Sequence, residues 1–537
     1  MYKIPKSKNI GTQRIKNTVY VFEDSPYWDA EKRQNRHRRN YIGKLDSNGE
    51  FLPNKSYAAQ LLLEKETKKR NNTLIAQRKY WGASYLLQII GERIGLVDDL
   101  KTSFPDDYKK ILSLAWYLVM ESESPMYRFK KWEMTHLHPL ESEFPDQRIS
   151  ELFTSISENA KLQFFALQSK RRLEREYLAY DTTSISSYSE LIRQVRYGHN
   201  KDDEPLPQIN LALVFSENSM LPVYYRKLPG NIPDVKTVRK LLKDIAFLEV
   251  SKVKLVMDRG FYSADNVDAL YRGHYKFLLS PRGNSGFVRP FLEAERENIR
   301  DYKNYSMTYD VYCLSRMGKW SLGQKKTSMA LSGETRRIYV HLYYNGQRAE
   351  AEKAAFVRHL AEAEQALREG NATEEQVRLG SRYFAITGAS GRGVRIEHDE
   401  KGIRERVRHC GYFALLSNEV KDPEVALEIY RNKDLVEKAF CNLKNRLDMK
   451  RTAVSSSESL EGKLFVQFIA LIYVSYIHKR MKERDLYKHY SMQSLLDELD
   501  IIERFQYSAG KVHYSEMTKK QQEIFEAFDL TSITNTL

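Results

Sequence analysis

Cysteine is nearly absent: Cys313, Cys410 and Cys441 are the only three in a chain of 537 residues. An odd number of widely separated thiols excludes a disulfide framework, and the start of the chain carries no signal-peptide pattern, so the expected compartment is reducing and cytoplasmic. Long hydrophobic runs are missing too. The most apolar stretch, LFVQFIALIYVSYI at 464–477, includes Gln467 and falls short of the roughly 18 apolar residues that suggest a membrane span. It reads as a buried core helix. Sustained heptads and internal repeats are absent, which argues against coiled coils and solenoids. His136 and His138 in THLHP have no cysteine or spaced acidic partner nearby, so they read as structural and not as zinc ligands. The Gly-x-Gly of SGRGVR at 390–395 lacks the strand-to-helix context of a phosphate loop, and no nucleotide cofactor is expected.

What the sequence does have is basic charge and aromatic bulk. Hydrophobic residues make up 42% and aromatic residues 12%, enough for large cores, and the length gives a soft prior of roughly three or four domains. The net charge is +15 and the pI about 9.3. The surplus is uneven, since residues 1–80 hold 18 Lys and Arg against 8 Asp and Glu. A polyanionic partner is the natural inference, although net charge alone speaks to association and not to fold.

Along the chain, residues 17–54 show short β-like runs between turn residues, with Lys32, Arg33, Arg36, Arg38 and Arg39 clustered among them. Residues 1–80 are therefore expected to form a basic N-terminal β module. From 81 to 172 apolar residues recur at three- and four-residue spacing, which predicts a helical region. Strands and helices then alternate. REYLAYDTTS (175–184), INLALVFS (209–216) and LPVYYRKL (221–228) read as successive strands. A helix opening at Asp234, the strand KVKLVMDRGF, a helix capped by Ser263 and the strand YKFLLSPR follow. Three strands, a helix, a strand, a helix and a strand is the order of an RNase H-like fold.

That order puts Asp181 inside the first strand and Asp258 at the end of the fourth. With those strands adjacent, both carboxylates project from one sheet edge and share a metal; the plainer alternative is two ordinary strand-end aspartates closing turns. Two-metal phosphoryl transfer needs further oxygen ligands. The candidate lies in EIYRNKDLVEKAFCNLKNRLDMKR (428–451). At about 100° per residue, Tyr430, Lys433, Glu437 and Lys444 fall within roughly 60° of one another on a helix, opposite Leu435, Ala439 and Leu443. The competing reading is a solvated face of intrahelical charge pairs.

These residues resemble the bacterial insertion-sequence transposases with a DDE triad, in the group marked by a Tyr-x2-Arg-x3-Glu-x6-Lys signature. Tyr430, Glu437 and Lys444 match that spacing, and Lys433 stands where the signature has Arg. YDTTSI resembles the first Asp motif and VMDRGF the second. GYFALLSNEV and LEGKLFVQFIALI also resemble the family's text, so the likeness runs from about residue 80 to 480. The resemblance implies that Asp181, Asp258 and Glu437 bind two divalent ions, Mg²⁺ or Mn²⁺. It also implies that Tyr430, Lys433 and Lys444 handle phosphates of the transposon end. Lysine at 433 keeps the charge but loses bidentate recognition; Arg431 is the nearest guanidinium, about 100° from Tyr430 on the helix.

The 179 residues between Asp258 and Glu437 exceed what one strand and one helix require. Related transposases carry a β-rich insertion here, and strand-like runs with one helical segment fill 283–409. Trp320 is the single Trp of that insertion. It reads first as core or turn packing, while in relatives such an aromatic stacks on a base flipped from the cut end.

The expected architecture is thus an α/β protein: an RNase H-like mixed-sheet catalytic core in two parts (173–282 and 410–490), interrupted by a β-rich insertion domain (283–409). The basic N-terminal module (1–80), a helical region (81–172) and a C-terminal helical region (491–537) for dimerisation or core completion flank it. The expected function is cleavage of insertion-sequence ends and transfer of the freed 3′-hydroxyls to target DNA. The partners are double-stranded DNA, met near the bacterial nucleoid, and a second copy of the chain in a synaptic dimer, with Arg33, Arg36, Arg38 and Arg39 as end-recognition contacts. Two other classes compete: an RNase H-like endonuclease or resolvase without strand transfer, and a catalytically silent DNA-binding derivative.

Overall fold

The three- and four-residue apolar spacing of 81–172 folds as helices, and the alternating stretches beyond it fold as one long mixed sheet. The computed structural model describes residues 9–29, 33–62, 76–172, 177–189, 191–202, 204–247, 254–281, 285–323, 334–387, 395–452, 454, 456–507 and 512–530. SGRGVR lies outside them except for Arg395, and Lys32 lies outside them altogether. The chain divides into two compact units, Met1–Lys79 with Ile502–Glu516, and Tyr80–Ile501 with Met517–Leu537.

In the first unit, Ile10–Ile15, Thr18–Asp29, Gln34–Leu45 and Phe51–Pro53 form an antiparallel four-stranded sheet in sequence order. Val21, Ile42 and Phe51 make its small core. Arg36, Arg38 and Arg39 lie on the third strand, and Arg33 precedes it at φ 47°. The arginines therefore sit on a hairpin arm. Glu503–Tyr507 and Val512–Tyr514 pair with each other and form a three-stranded sheet with Ala76–Tyr80. This corrects the expectation of a purely helical 491–537: the segment returns to the N-terminal unit as strands. A pairing between residues more than 400 positions apart leaves no local trace in the sequence.

The second unit has two layers of helix around its sheet. Gly82–Arg93, Leu96–Ser103, Tyr108–Met120, Phe129–Thr135, Asp146–Ser155 and Glu158–Arg172 are helical. Several of them pack on the helix Ser457–Glu483, in which every residue from Gly462 to Ser475 is buried. The Phe465 ring lies 5.0 Å from Phe104, 5.4 Å from Phe164 and 6.2 Å from Phe165. By length and composition this helix is apolar enough to cross a membrane, yet 89% of its most apolar window is buried inside the fold, as a core helix hydrophobic on all sides must be. Gly462 is required where the helix touches its neighbour, because a Cβ there would overlap the Phe153 backbone.

The sheet strands are β1 Tyr177–Ser187, β2 Gln208–Ser216, β3 Pro222–Pro229, β4 Lys254–Met257, β5 Lys276–Leu279, β6 Val311–Ser321, β7 Thr335–Tyr344 and β8 Tyr412–Ser417. Their spatial order is β6-β7-β8-β5-β4-β1-β2-β3. β4 runs parallel to β1 and to β5, and the other pairings between these strands are antiparallel. Helix α1 (Asp234–Phe247) precedes β4 and α2 (Ala264–Arg272) precedes β5. Successive strand side chains face opposite ways. Val256 and Leu278 pack with Ala426 and Leu427 on one face, while Phe277 meets Tyr271 of α2 on the other. Both faces are covered, which is why β2 is an unbroken buried run.

The stretch expected as a β-rich insertion domain is divided differently. β6 and β7 extend the main sheet, with β7 laddered from Tyr339 to Tyr344 against β8. What interrupts the sheet is a helical subdomain: α3 (Gly346–Glu369), α4 (Glu374–Tyr383) and α5 (Glu400–Arg408), carrying a ribbon of Phe384–Thr387 with Arg395–His398. Its core is Phe356, Leu360 and Phe384. Strand periodicity marks β6 and β7 as strands but does not say which sheet edge they join.

Candidate active site

Register brings the two aspartates together. Tyr180 pairs with Met257 across β1 and β4, so Asp181 and Asp258 follow on neighbouring strands at one edge. Tyr180 faces the other side, with its ring 5.0 Å from Phe261. Asp258 ends β4 and accepts a 2.7 Å hydrogen bond from the Arg259 backbone N–H, opening the tight turn Arg259–Phe261. Asp181 accepts one from Thr182 N–H at 2.7 Å.

The third carboxylate comes from a broken helix. Two helices, α6 (Pro423–Asn432) and α7 (Asp434–Cys441), replace the single one expected, and five residues of π-helix, Asn442–Arg446, follow. Lys433 is the junction, its N–H bonded to Tyr430 O at 3.2 Å, one residue short of the α-helical spacing. The uniform 100° progression therefore fails at both ends of α7. Tyr430, Lys433 and Glu437 nevertheless converge. Tyr430 donates its hydroxyl to Asp258 Oδ1 at 2.6 Å. Lys433 Nζ lies 3.5 Å from Asp258 Oδ2 and 3.2 Å from Glu437 Oε1, with its side chain only 6% exposed. Lys444 turns elsewhere, to Asp202 at 2.5 Å. Arg431 lies over the Tyr309 ring at 4.9 Å.

Lys201 and Asp234 complete the cluster, and sequence reasoning missed the role of both. Lys201 Nζ lies 3.7 Å from Asp181 Oδ1 and 3.4 Å from Asp234 Oδ2, and donates to the Thr182 carbonyl at 2.5 Å. Asp234 reads in the sequence as a helix cap; its carboxylate accepts from Thr182 Oγ1 at 2.5 Å. Lys201 sits in a turn-rich stretch that gave no functional signal. Packing of the hairpin loop against β1 is what delivers it.

Electrostatics separate the two aspartates. Burial raises the Asp181 carboxyl above its ordinary value, outweighing the favourable Lys201 charge, the Thr182 N–H and Lys433, while Asp258 adds repulsion. Burial pushes Asp258 the same way, but the Tyr430 hydroxyl, the Lys433 ammonium and the Arg259 N–H prevail and hold it below its ordinary value. For Lys433, the surrounding Asp258, Asp181 and Glu437 charges overcome burial and raise its pKa. The cluster sets three carboxylates, the ligand type hard divalent cations select, beside the Lys433 and Lys201 ammonium groups. Asp181, Asp258 and Glu437 supply that ligand type, although among the described residues the group whose ligand atoms lie close enough together to hold one ion is Glu293, Glu405 and His409.

Other expected residues lie in different surroundings. Trp320 is 5% exposed, donates Nε1–H to Asp268 at 2.8 Å and packs edge-on against Phe287, which is core packing and leaves its faces unavailable for a base. His136 stacks on Trp132 and bonds Asp500 at 2.8 Å, while His138 contacts Ser113. Both are structural. Arg36 pairs with Asp29, and Arg39 donates to Gln13 and caps the Phe22 ring, within the N-terminal unit.

A family model described as a transposase DDE domain matches residues 172–473, more than half of the chain. No curated protein matches. Among solved structures, the chain is similar to a piggyBac transposase synaptic complex with hairpin DNA determined by cryo-EM. The identity is 10% and the TM-score 0.36, over 72% of this chain and 68% of that one.

Proposed function

This chain belongs to the DDE transposases, and from that premise we propose that it cuts the ends of an insertion sequence and joins the freed 3′-hydroxyls to target DNA. We assign it to the Tyr-Arg-Glu-Lys signature group, with Lys433 in the Arg position. The observation that carries the reading is that Asp258 and Glu437, far apart in sequence, share the Lys433 ammonium, while Asp181 stands on the strand beside Asp258. The order β5-β4-β1-β2-β3, with β4 parallel to both neighbours, supports an RNase H-like core.

In this proposal Asp181, Asp258 and Glu437 hold two Mg²⁺ or Mn²⁺ ions. Bound there, such ions supply activation of an attacking oxygen and stabilisation of a leaving one. The chain's own residues do the rest. Tyr430 orients Asp258 and keeps it ionised. Lys433 and Lys444 neutralise backbone phosphate near the scissile bond. The basic hairpin arm with Arg33, Arg36, Arg38 and Arg39 contacts the transposon end, and two copies act together in a synaptic dimer.

The test is a cleavage and strand-transfer assay on DNA carrying the element's own ends, with Mg²⁺, comparing wild type with Asp258→Ala. Cutting and joining by wild type alone supports the proposal. Cutting without joined products would favour a resolvase-like nuclease, and DNA binding without metal-dependent cutting would favour a silent derivative.

A further inference from the structure

The hairpin loop between β1 and β2 runs GHNKDDEPLP over 198–207. A run of acids beside three catalytic carboxylates is unfavourable unless each is neutralised, and in a chain of net charge +15 it calls for an explanation. The neutralising partners come from one downstream segment. Asp202 Oδ2 meets Lys444 Nζ at 2.5 Å, and Glu204 Oε1 meets Arg451 Nη2 at 3.0 Å. Arg451 also donates to the Tyr188 hydroxyl at 2.7 Å and lies 5.2 Å over that ring. In the same loop Lys201 stands 3.7 Å from Asp181. The loop thus sets carboxylates on cations and an ammonium on a catalytic carboxylate.

The placement is built. Asn200 donates to Ser186 Oγ at 3.1 Å and receives Asp202 N–H at 2.8 Å, and Lys201 N–H reaches Ser184 Oγ at 3.2 Å. Gly198 lies so close to the Gly230 carbonyl that a Cβ would overlap it. The hydroxyls of β1 therefore fix the base of the loop, while Asp202 is held by its ion pair with Lys444 and Glu204 by Arg451 and a hydrogen bond from Ser186. Each pair has one partner open to solvent, Asp202 and Arg451; ion pairs that water reaches are weak and screened by salt, so a polyanion can exchange for them.

Resting on the transposase reading above, we infer that Lys444 and Arg451 form a phosphate track leading from the active site, with Tyr188 as its aromatic shoulder. Asp202 and Glu204 are intramolecular stand-ins for DNA phosphates that an incoming strand must displace. Arg451 and Tyr188 thereby become DNA-contacting residues, and the loop becomes a strap that disfavours non-specific DNA.

The test uses the full chain and a random-sequence duplex, with affinity measured by fluorescence anisotropy across a salt series. Asp202→Asn/Glu204→Gln is expected to bind about 2- to 30-fold tighter at low salt, the range two such ion pairs give, with the gain shrinking as salt rises. The same charge change at the exposed Glu374 and Glu375 of α4 gives no comparable gain. In the loop-neutral background, Lys444→Gln/Arg451→Gln abolishes the gain. Equal affinities for wild type and the loop variant, both folded by thermal melt, would overturn the strap while leaving the transposase reading intact. Failure of every protein, wild type included, to bind duplex at low salt would overturn both.

Discussion

The Tyr430 hydroxyl donates a 2.6 Å hydrogen bond to Asp258 Oδ1. It joins α6 to the end of β4 and fixes the orientation of the Asp258 carboxylate, which the proposal above makes catalytic. Removing it with Tyr430→Phe deletes a hydrogen bond to a charged group, worth about 1.5–3 kcal/mol when well shielded. Asp258 is half-buried, so the lower end applies, and a loss of about tenfold in cleavage rate is expected.

The same bond helps hold the Asp258 carboxyl below its ordinary value. A depressed carboxyl stays ionised as pH falls, so activity requiring that carboxylate persists to lower pH. In Tyr430→Phe the carboxyl rises, and the acid limb of the cleavage rate should move to higher pH. A pH series on both proteins checks the direction; an unmoved limb would mean the bond does not tune Asp258.

How much of this was legible follows from what each signal depends on. The core strand order, Asp181, Asp258 and the row from Tyr430 to Glu437 could be read because alternation and helical spacing are local. The break at Lys433 and the π-helix after Cys441 were not, since both arise where α6 and α7 fit different parts of the sheet. Nor were Lys201 and Asp234, which reach the site through the Ser184 and Thr182 contacts of β1. β6 and β7 looked like a separate domain because edge pairing with β8 is non-local.

Glu461 accepts from Lys161 at 2.7 Å and Lys227 at 3.0 Å, both ammonium groups being buried. Glu461→Gln leaves the buried Lys227 without a counter-charge and Lys161 with only the exposed Glu158, and should cost about 3 kcal/mol, the low end for breaking a buried pair. Burial raises the Glu461 carboxyl, but the two lysines outweigh it and leave it below its ordinary 4.5. Its stabilising contribution is therefore complete above pH 4.5 and lost as pH falls from there through the folded value. Urea unfolding of wild type should weaken across that acidic window more steeply than that of Glu461→Gln.

Trp320 separates packing from DNA contact. Trp320→Phe removes the hydrogen bond to Asp268 and part of the contact with Phe287, leaving a buried carboxylate short of a donor. A loss of roughly 1–3 kcal/mol in stability is expected, with affinity for transposon-end DNA unchanged below the melting range. Weakened DNA binding by a variant of full stability would instead assign the ring to the DNA.

Lys433 supplies the last prediction. Its ammonium lies against both Asp258 and Glu437, so without added cations it is the buried counter-charge of those two carboxylates, while Lys201 faces Asp181. Lys433→Met keeps much of the packing volume but leaves Asp258 and Glu437 without their shared cation, and in EDTA its melting temperature should fall below that of wild type. A divalent ion binding the folded triad stabilises by mass action. Added Mn²⁺ should therefore recover more of the melting temperature in Lys433→Met than it adds to wild type. Asp258→Asn should lose most of the Mn²⁺ response whatever stands at 433. If Mn²⁺ moved all three proteins equally, the ion would be binding elsewhere and not at the triad.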